Sequence, residues 1–184
     1  MALKSTIFKA ELSVADIGRG QYGDYTLTVA RHPSETDERM MVRLLAFALN
    51  ASDTLAFGKG LSTEDEPDLW RRDLTGVVEL WIDVGLPDEK EIRKACGRAN
   101  AVHVYAYGGR AVGLWWDKAR SKLDRQERLA VSEVPLEASK ALAALAGRTM
   151  RLHCTIQEEQ ILFGDAATSV SLELVAIKAP LPRR

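Results

Sequence analysis

The strongest pattern in this 184-residue chain is the stretch PDLWRRDLTGVVELWIDVG, residues 67–85. In its second half, apolar residues at every second position alternate with Glu, Trp, Asp and Gly, which indicates a β-strand with one apolar face. The turn-forming residues 73–76 separate it from a shorter run at 68–72, so the stretch predicts a β-hairpin. The predicted apolar face holds Val78, Leu80, Ile82 and Val84, and the opposite face holds Glu79, Trp81, Asp83 and Gly85.

Two aspartates on this hairpin are candidates for chemistry. A four-residue turn would place Asp68 opposite Trp81 and Asp83 on the diagonal, and diagonal positions lie roughly 7–8 Å apart. Carboxylates at that spacing can share a divalent ion. An acid within an aromatic, β-branched strand costs desolvation free energy unless a partner or a cation receives it. The pattern predicts a metal or active-site role for Asp68 and Asp83, although an acid on a solvated sheet face would look the same.

The residues before the hairpin predict a strand pair and a helix. Residues 4–14 and 24–31 are strand-like and are joined by a glycine-rich turn. His32-Pro33-Ser34 then marks a helix start, with Ser34 as the cap and the helix reaching about Asn50. The predicted buried stripe of this helix is Met41, Leu44, Leu45, Ala48 and Leu49.

Glu38 is a third candidate carboxylate. It precedes Met41, Val42 and Leu45 by three, four and seven positions, so it lies in line with the buried stripe near the helix start. An exposed first-turn acid that complements the helix dipole would have the same signature.

The residues after the hairpin continue the mixture of helices and strands. The middle of the chain alternates between the two, and its ends are mostly strand, which predicts an α/β (α+β mixed) fold with a second sheet packed on an α/β centre. The predicted elements are a helix at 88–99, a strand at 101–107, a helix near 111–120, a strand at 128–134, a helix at 135–146, and final strands at 149–157 and 168–177 that pair around a turn at 160–165.

Composition and charge restrict the class of protein. Hydrophobic residues make up 46% and charged residues 28%, which is typical of a globular protein, and the length suits one compact domain over residues 1–184. The chain has no apolar run of membrane-spanning length and no signal-like N-terminus, so we expect a cytoplasmic protein with no membrane partner, and a monomer is favoured.

Cys96 and Cys154 lie in apolar patterns and are expected to be reduced core thiols. The net charge of −1 argues against a nucleic-acid coat protein but is compatible with an enzyme that has a local basic patch.

Three segments resemble the bacterial YaeQ family. They are KSTIFKAEL at 4–12, RHPSETDERMM at 31–41 and ELWIDVG at 79–85. The resemblance covers essentially the whole chain. It implies a variation on the PD-(D/E)XK restriction-endonuclease-like core, at about residues 34–107, with additional N- and C-terminal strands that form a second sheet.

The resemblance also implies roles for single residues. Pro67-Asp68 matches the first acid of the nuclease pattern, Asp83 matches the acid of its second half, and Glu38 matches a helix carboxylate that is common in that superfamily. Gly85 departs from the pattern, because it occupies the position of the lysine that positions the attacking water and stabilises developing charge. Lys94, or Lys90, is the candidate replacement, although the helical wheel places both opposite the apolar stripe of their helix.

Two functions therefore remain open from the sequence. The first is a metal-dependent nuclease in which Asp68, Asp83 and Glu38 bind Mg²⁺ (or Mn²⁺) and Lys94 supplies positive charge, with nucleic acid as the partner. The second is a non-catalytic nucleic-acid-binding or transcription-linked regulatory protein that retains a degenerate nuclease core. The glycine at position 85 and the near-neutral charge favour the second.

Overall fold

The structure is a computed structural model that describes residues 4–59 and 65–181. Within those ranges the chain forms two mixed sheets and four helices. The helices are α1 (Asp37–Leu49), α2 (Glu89–Arg98), α3 (Arg110–Leu123) and α4 (Leu136–Ala143). The strands are β1 (Thr6–Asp16), β2 (Gln21–Arg31), β3 (Leu55–Phe57), β4 (Leu69–Arg72), β5 (Val78–Val84), β6 (Ala99–Ala106), β7 (Leu129–Glu133), β8 (Thr149–Gln157), β9 (Gln160–Gly164), β10 (Ser169–Leu172) and β11 (Val175–Lys178).

The first sheet combines the two N-terminal strands with strands from the C-terminal part of the chain, in the order β10-β9-β8-β1-β2. The predicted N-terminal hairpin is confirmed, since β1 and β2 pair antiparallel along their whole length. Strand β8 lies parallel to β1 on the other side, which makes the sheet mixed. The predicted second sheet built from terminal strands is therefore present.

The prediction for the C-terminal strands was wrong in its pairing. The stretch predicted as a turn at 160–165 contains strand β9, which pairs with β8. The turn lies earlier, where Glu158 adopts a positive φ of 55°. Glycine or asparagine usually marks such a turn, so a glutamate there gave no signal. Residues 168–177 then divide between the two sheets, as β10 in the first and β11 in the second.

The second sheet has the order β11-β7-β6-β5-β4-β3. Strands β5, β6 and β7 are parallel, and β4 and β11 pair antiparallel with β5 and β7. The sequence prediction did not include β3, which is three residues long. None of the helices in the described part of the chain combines the length and the apolar composition that a membrane crossing requires.

Helix α1 is buried on all sides. Every residue from 40 to 48 is buried, so the helix lacks the single apolar stripe that the sequence predicted. Its N-cap is Thr36, whose hydroxyl oxygen accepts the Arg39 N–H at 3.1 Å. The predicted cap, Ser34, lies before the helix and donates its N–H to His32 Nδ1. The helix therefore starts two residues later than a Ser34 cap would place it.

Both faces of the second sheet are covered. Leu80, Ile82 and Val84 pack in a core with α1 and the first sheet, whereas Trp81 packs in a separate core with α2 and α3. Val78 packs with Trp81 rather than with Leu80, because the β4–β5 register shifts between Arg71 and Arg72. The face of Asp83 is thus the buried α2 side of the sheet rather than an open surface.

Candidate functional site

The β4–β5 hairpin brings Asp68 and Asp83 together. Leu69 pairs with Ile82 and Trp70 with Trp81, so the next step along the ladder sets Asp68 against Asp83. The predicted diagonal placement was wrong, because the turn is one residue longer than expected and the register shift adds another. An error of two residues keeps the side-chain faces unchanged. The Asp68 N–H lies 3.4 Å from Asp83 Oδ1.

Asp83 is half-buried and has few partners. The Trp81 indole N–H donates to its Oδ2 at 2.9 Å. None of the ion pairs formed within residues 4–59 and 65–181 includes Asp83. Desolvation by burial and the nearby charge of Asp68 raise the pKa of Asp83 from 3.8 to about 7, against the lowering effect of the Trp81 hydrogen bond. Asp83 is therefore an acid that changes protonation state near neutral pH.

Asp68 is buried and well satisfied. Arg39 Nη2 donates to its two oxygens at 2.8 and 3.0 Å, and the Val84 N–H donates to Oδ2 at 2.8 Å. The ion pair with Arg39 neutralises the charge of the Asp68 carboxylate. These contacts also fix the direction of Asp68 relative to the end of β5.

Arg39 connects Asp68 to a second buried acid, Glu35. Arg39 Nη1 donates to Glu35 Oε1 at 3.0 Å, and Arg43 donates two hydrogen bonds of 2.7 Å to the same carboxylate. Two guanidinium groups therefore face the two carboxylates of Glu35 and Asp68. Asp83 is the third acid of the group, and its charge has no counterpart there.

Glu38 does not join this group. Its Oε1 accepts a hydrogen bond of 2.6 Å from Ser139, which is fully buried on α4. In the part of the chain that the structure describes, no three His, Cys, Asp or Glu side chains are arranged to hold a metal ion. Of the three predicted ligands, the structure brings together Asp68 and Asp83 and places Glu38 at the contact between α1 and α4.

A cavity of about 410 Å³ adjoins the two aspartates. Its wall combines the ends of β4 and β5 with α2 and the start of α1. The lining includes both acids and cations, as well as apolar groups. These residues are Arg39, Glu66, Asp68, Trp81, Asp83, Val84, Gly85, Leu86, Pro87, Glu91, Lys94, Ala95, Arg98 and Tyr107.

Lys94, the predicted replacement lysine, lines this cavity from α2. Its side chain is exposed, and Nζ donates to Asp65 Oδ1 at 2.6 Å. The helical-wheel interpretation that it points away from the apolar stripe is consistent with this exposure. Its ion-pair partner is thus Asp65 rather than either hairpin aspartate.

Gly85, which the sequence comparison aligned with the lysine of the nuclease pattern, has a backbone conformation that disfavours a side chain. Its φ is +93°, a region that side-chain-bearing residues rarely adopt. The space itself is open, since an added Cβ would meet only Tyr107 Cε1 at 3.8 Å. The Gly85 N–H donates to Tyr105 O at 2.9 Å, which fixes the turn out of β5. A lysine at this position would therefore be strained by the backbone rather than by crowding.

The sequence interpretation missed the residues that support the site. Glu35, Arg39 and Arg43 recur at intervals of four, a spacing that aligns ion pairs along one side of a helix. Arg43 is also the one charged residue in the apolar run from Met40 to Leu49, which is a signal for a buried ion pair. No local pattern identifies Tyr107, whose pKa is raised by burial at the cavity wall.

Comparison with known proteins gives consistent matches over nearly the whole chain. A family model described as YaeQ protein matches residues 1–174. The proteins named "Uncharacterized protein YaeQ" of Salmonella typhi and Escherichia coli K12 are 45% and 44% identical over 180 residues, which covers 98% of this chain and 99% of each relative. These names assign no activity.

Two solved structures also match. The crystal structure of YaeQ protein from Xanthomonas axonopodis pv. citri is 49% identical with a TM-score of 0.92, and the match covers 96% of this chain and 99% of that one. The crystal structure of YaeQ protein from Pseudomonas syringae is 35% identical with a TM-score of 0.91, covering 95% and 97%. From the family match and these relatives together, the chain belongs to the YaeQ family.

Proposed function

We propose that the protein binds a divalent cation at Asp83 and Asp68 and hydrolyses phosphodiester bonds in the adjoining cavity. One observation carries this proposal: Asp83 borders the cavity beside Asp68 and takes part in none of the ion pairs of the described chain. An acid held in this way destabilises the fold unless a cation binds it. The Pro67-Asp68 and Asp83 match to the nuclease pattern supports the same assignment.

The donor set suits a hard cation such as Mg²⁺ or Mn²⁺. Mg²⁺ in proteins is commonly bound by one or two carboxylates and keeps several of its waters. Asp83 is the better ligand, because the Trp81 N–H and a long contact from the Asp68 N–H leave most of its lone pairs free. Asp68 is the second ligand, although Arg39 competes for its oxygens. Glu38 is not included in this proposal, since Ser139 holds its carboxylate.

The residues around the pair have separable roles. When bound, the cation would polarise the phosphate and lower the pKa of a bound water. Trp81 orients Asp83, and Arg39 with the Val84 N–H orients Asp68.

The substitution Asp83→Asn tests the proposal. Labelled oligonucleotides are incubated with Mn²⁺ or Mg²⁺, and Mn²⁺ binding is measured by calorimetry. We expect the variant to lose Mn²⁺ binding and to cleave about 100-fold or more slowly, because several kcal/mol of transition-state stabilisation depend on the cation.

Glu79→Gln is the matched control. Glu79 lies on the same strand but forms its ion pair with Arg71 outside the cavity. It should leave both measurements unchanged. Cleavage that persists in Asp83→Asn, or a wild-type protein that neither binds Mn²⁺ nor cleaves, contradicts the proposal.

The second candidate function is a non-catalytic nucleic-acid-binding or transcription-linked regulator. The observation that favours it is the ion pair between Arg39 and Asp68, which gives one of the two acids a protein cation already. The positive φ of Gly85, which disfavours a side chain there, also leaves the nuclease lysine without a direct equivalent. An oligonucleotide that binds tightly but survives incubation with Mn²⁺ would support this alternative.

A further inference from the structure

Lys94 and Arg98 contact the same carboxylate, that of Asp65, at the rim of the cavity. They lie one turn apart on α2, and both line the cavity that contains Asp83. Lys94 Nζ contacts Asp65 Oδ1 at 2.6 Å, and Arg98 Nη1 contacts the same oxygen at 3.4 Å. The two cations therefore converge on a single anionic oxygen.

The Asp65 contact is easily exchanged. The side chains of Lys94, Arg98 and Asp65 are 52%, 45% and 69% exposed. Exposed ion pairs contribute little to stability and are screened by salt. The hydrogen bond from Lys94, and then the charges of Lys94 and Arg98, lower the pKa of Asp65, so its carboxylate is ionised at neutral pH. A phosphate group offers several anionic oxygens in place of this one and suits both an ammonium and a guanidinium donor.

The charged side chains that line the cavity come from both the hairpin and α2. Asp68 and Asp83 lie at the hairpin, and Arg39 there is already paired with Asp68. Lys94 and Arg98 supply positive charge from α2, where Glu91 also faces the cavity. A phosphodiester substrate needs such positive side chains, because its flanking phosphates are repelled by uncompensated carboxylates.

We propose that Lys94 and Arg98 form a phosphate subsite that binds a phosphate next to the reacting one, and that the Asp65 carboxylate takes the place of a phosphate oxygen in the free protein. This inference rests on the proposed function for the identity of the substrate. It gives Lys94 a binding role rather than the catalytic role expected from the sequence, and it makes Asp65 a competitor of the substrate.

Binding without metal tests the subsite separately from hydrolysis. The probes are a fluorescein-labelled single-stranded oligothymidylate, followed by anisotropy at low salt, and inorganic pyrophosphate as a competitor. We expect Lys94→Ala/Arg98→Ala to weaken oligonucleotide binding about tenfold and to reduce the slope of log affinity against log salt by about 1 to 2. We expect Asp65→Asn to strengthen binding about two- to fivefold, because it removes the competing carboxylate.

The control variant is Lys90→Ala/Lys118→Ala. It removes the same number of positive charges from α2 and α3 at exposed positions outside the cavity lining. It should weaken binding less than the Lys94/Arg98 variant does. All three variants change exposed side chains, so far-ultraviolet circular dichroism should show an unchanged fold.

The outcomes separate this inference from the proposed function. Asp83→Asn should still bind the oligonucleotide without metal, so a failure of metal binding or cleavage leaves the subsite standing. Pyrophosphate competition that Lys94→Ala/Arg98→Ala abolishes supports a site for phosphate itself rather than for a base or a sugar. The inference is overturned if wild-type protein binds neither probe, if the Lys94/Arg98 variant equals its control, or if Asp65→Asn binds more weakly.

Discussion

Glu35 and Asp83 are two acids of the same network with opposite surroundings. Glu35 is buried and accepts hydrogen bonds from two guanidinium groups, Arg39 and Arg43. Asp83 borders the cavity and accepts from an indole N–H and, at 3.4 Å, a backbone N–H. Among the described residues, the fold neutralises Glu35, which is away from the cavity, and gives Asp83, which is beside it, no ion-pair partner. Under the proposed function, this difference means that Asp83 is kept for a ligand at the expense of stability.

The largest expected effect is that of Glu35→Gln. Arg43 is 1% exposed, and its Nε and one Nη donate to Glu35, so the variant leaves a buried guanidinium without its anion. Breaking a buried ion pair by removing one partner typically costs about 3–5 kcal/mol. We expect a loss of that size in the free energy of unfolding, measured by urea denaturation at pH 7. A loss below about 1 kcal/mol would mean that the ion pairs of Glu35 contribute little to stability, and the contrast between Glu35 and Asp83 would then fail.

Arg39→Gln should lower the stability of the protein and raise its affinity for Mn²⁺. It removes the cation shared by Glu35 and Asp68, and we expect about 2–3 kcal/mol of destabilisation, since Arg43 still neutralises Glu35. It also frees the oxygens of Asp68, so calorimetry should show tighter Mn²⁺ binding. Arg71→Gln is a suitable control, because Arg71 pairs with Glu79 and does not line the cavity. Weaker Mn²⁺ binding in Arg39→Gln would contradict competition between Arg39 and the cation.

The hairpin and the contacts around it differ in how far the sequence could predict them. The alternation in residues 78–84 and the turn at 73–76 are local signals, and they located the strands that hold Asp68 and Asp83. The register was wrong by two residues, yet the two acids still fell on one face, because side-chain direction repeats every two residues.

Contacts between distant segments gave no comparable signal. Glu38 was placed correctly on the first turn of α1, but its partner Ser139 lies 101 residues away on another helix. Only packing of α4 against α1 decides that Glu38 faces Ser139 rather than the cavity. The division of residues 168–177 between two sheets has the same origin, since each half is chosen by the strand that it meets.

Asp83→Asn should stabilise the metal-free protein at pH 8. The pKa of Asp83 is raised from 3.8 to about 7, so ionisation is less favourable in the folded than in the unfolded state. Each pKa unit corresponds to about 1.4 kcal/mol, and after discounting for partial exposure we expect about 1–3 kcal/mol. The difference between variant and wild type should be near zero at pH 4 and should grow as the pH rises to 7. A variant that is destabilised at pH 8 would show that Asp83 is structural, as Glu35 is.

His103 titrates in the same range and needs to be separated from Asp83. Burial lowers the pKa of His103 from 6.5 to about 4, so the folded protein loses stability as the pH falls through that interval. This loss opposes the gain from protonating Asp83 and flattens the wild-type profile between about pH 4 and 7. Because His103 is present in both proteins, its contribution cancels in the difference between Asp83→Asn and wild type.

The smallest expected effect is that of Trp81→Phe, which removes one hydrogen bond from the acid beside the cavity. The Trp81 N–H favours the ionised form of Asp83, so its loss should raise the pKa of Asp83 further above 7. Hydrogen bonds to charged groups contribute about 1.5–3 kcal/mol, but protonation of Asp83 and the retained aromatic packing should limit the change in stability to about 1 kcal/mol at pH 7. The shift can be followed by NMR of the Asp83 carboxyl carbon.

Trp70→Phe is the control, because Trp70 packs edge-on against Trp81 and does not line the cavity. An unchanged Asp83 titration in Trp81→Phe would mean that the indole neither orients the carboxylate nor stabilises its ionised form.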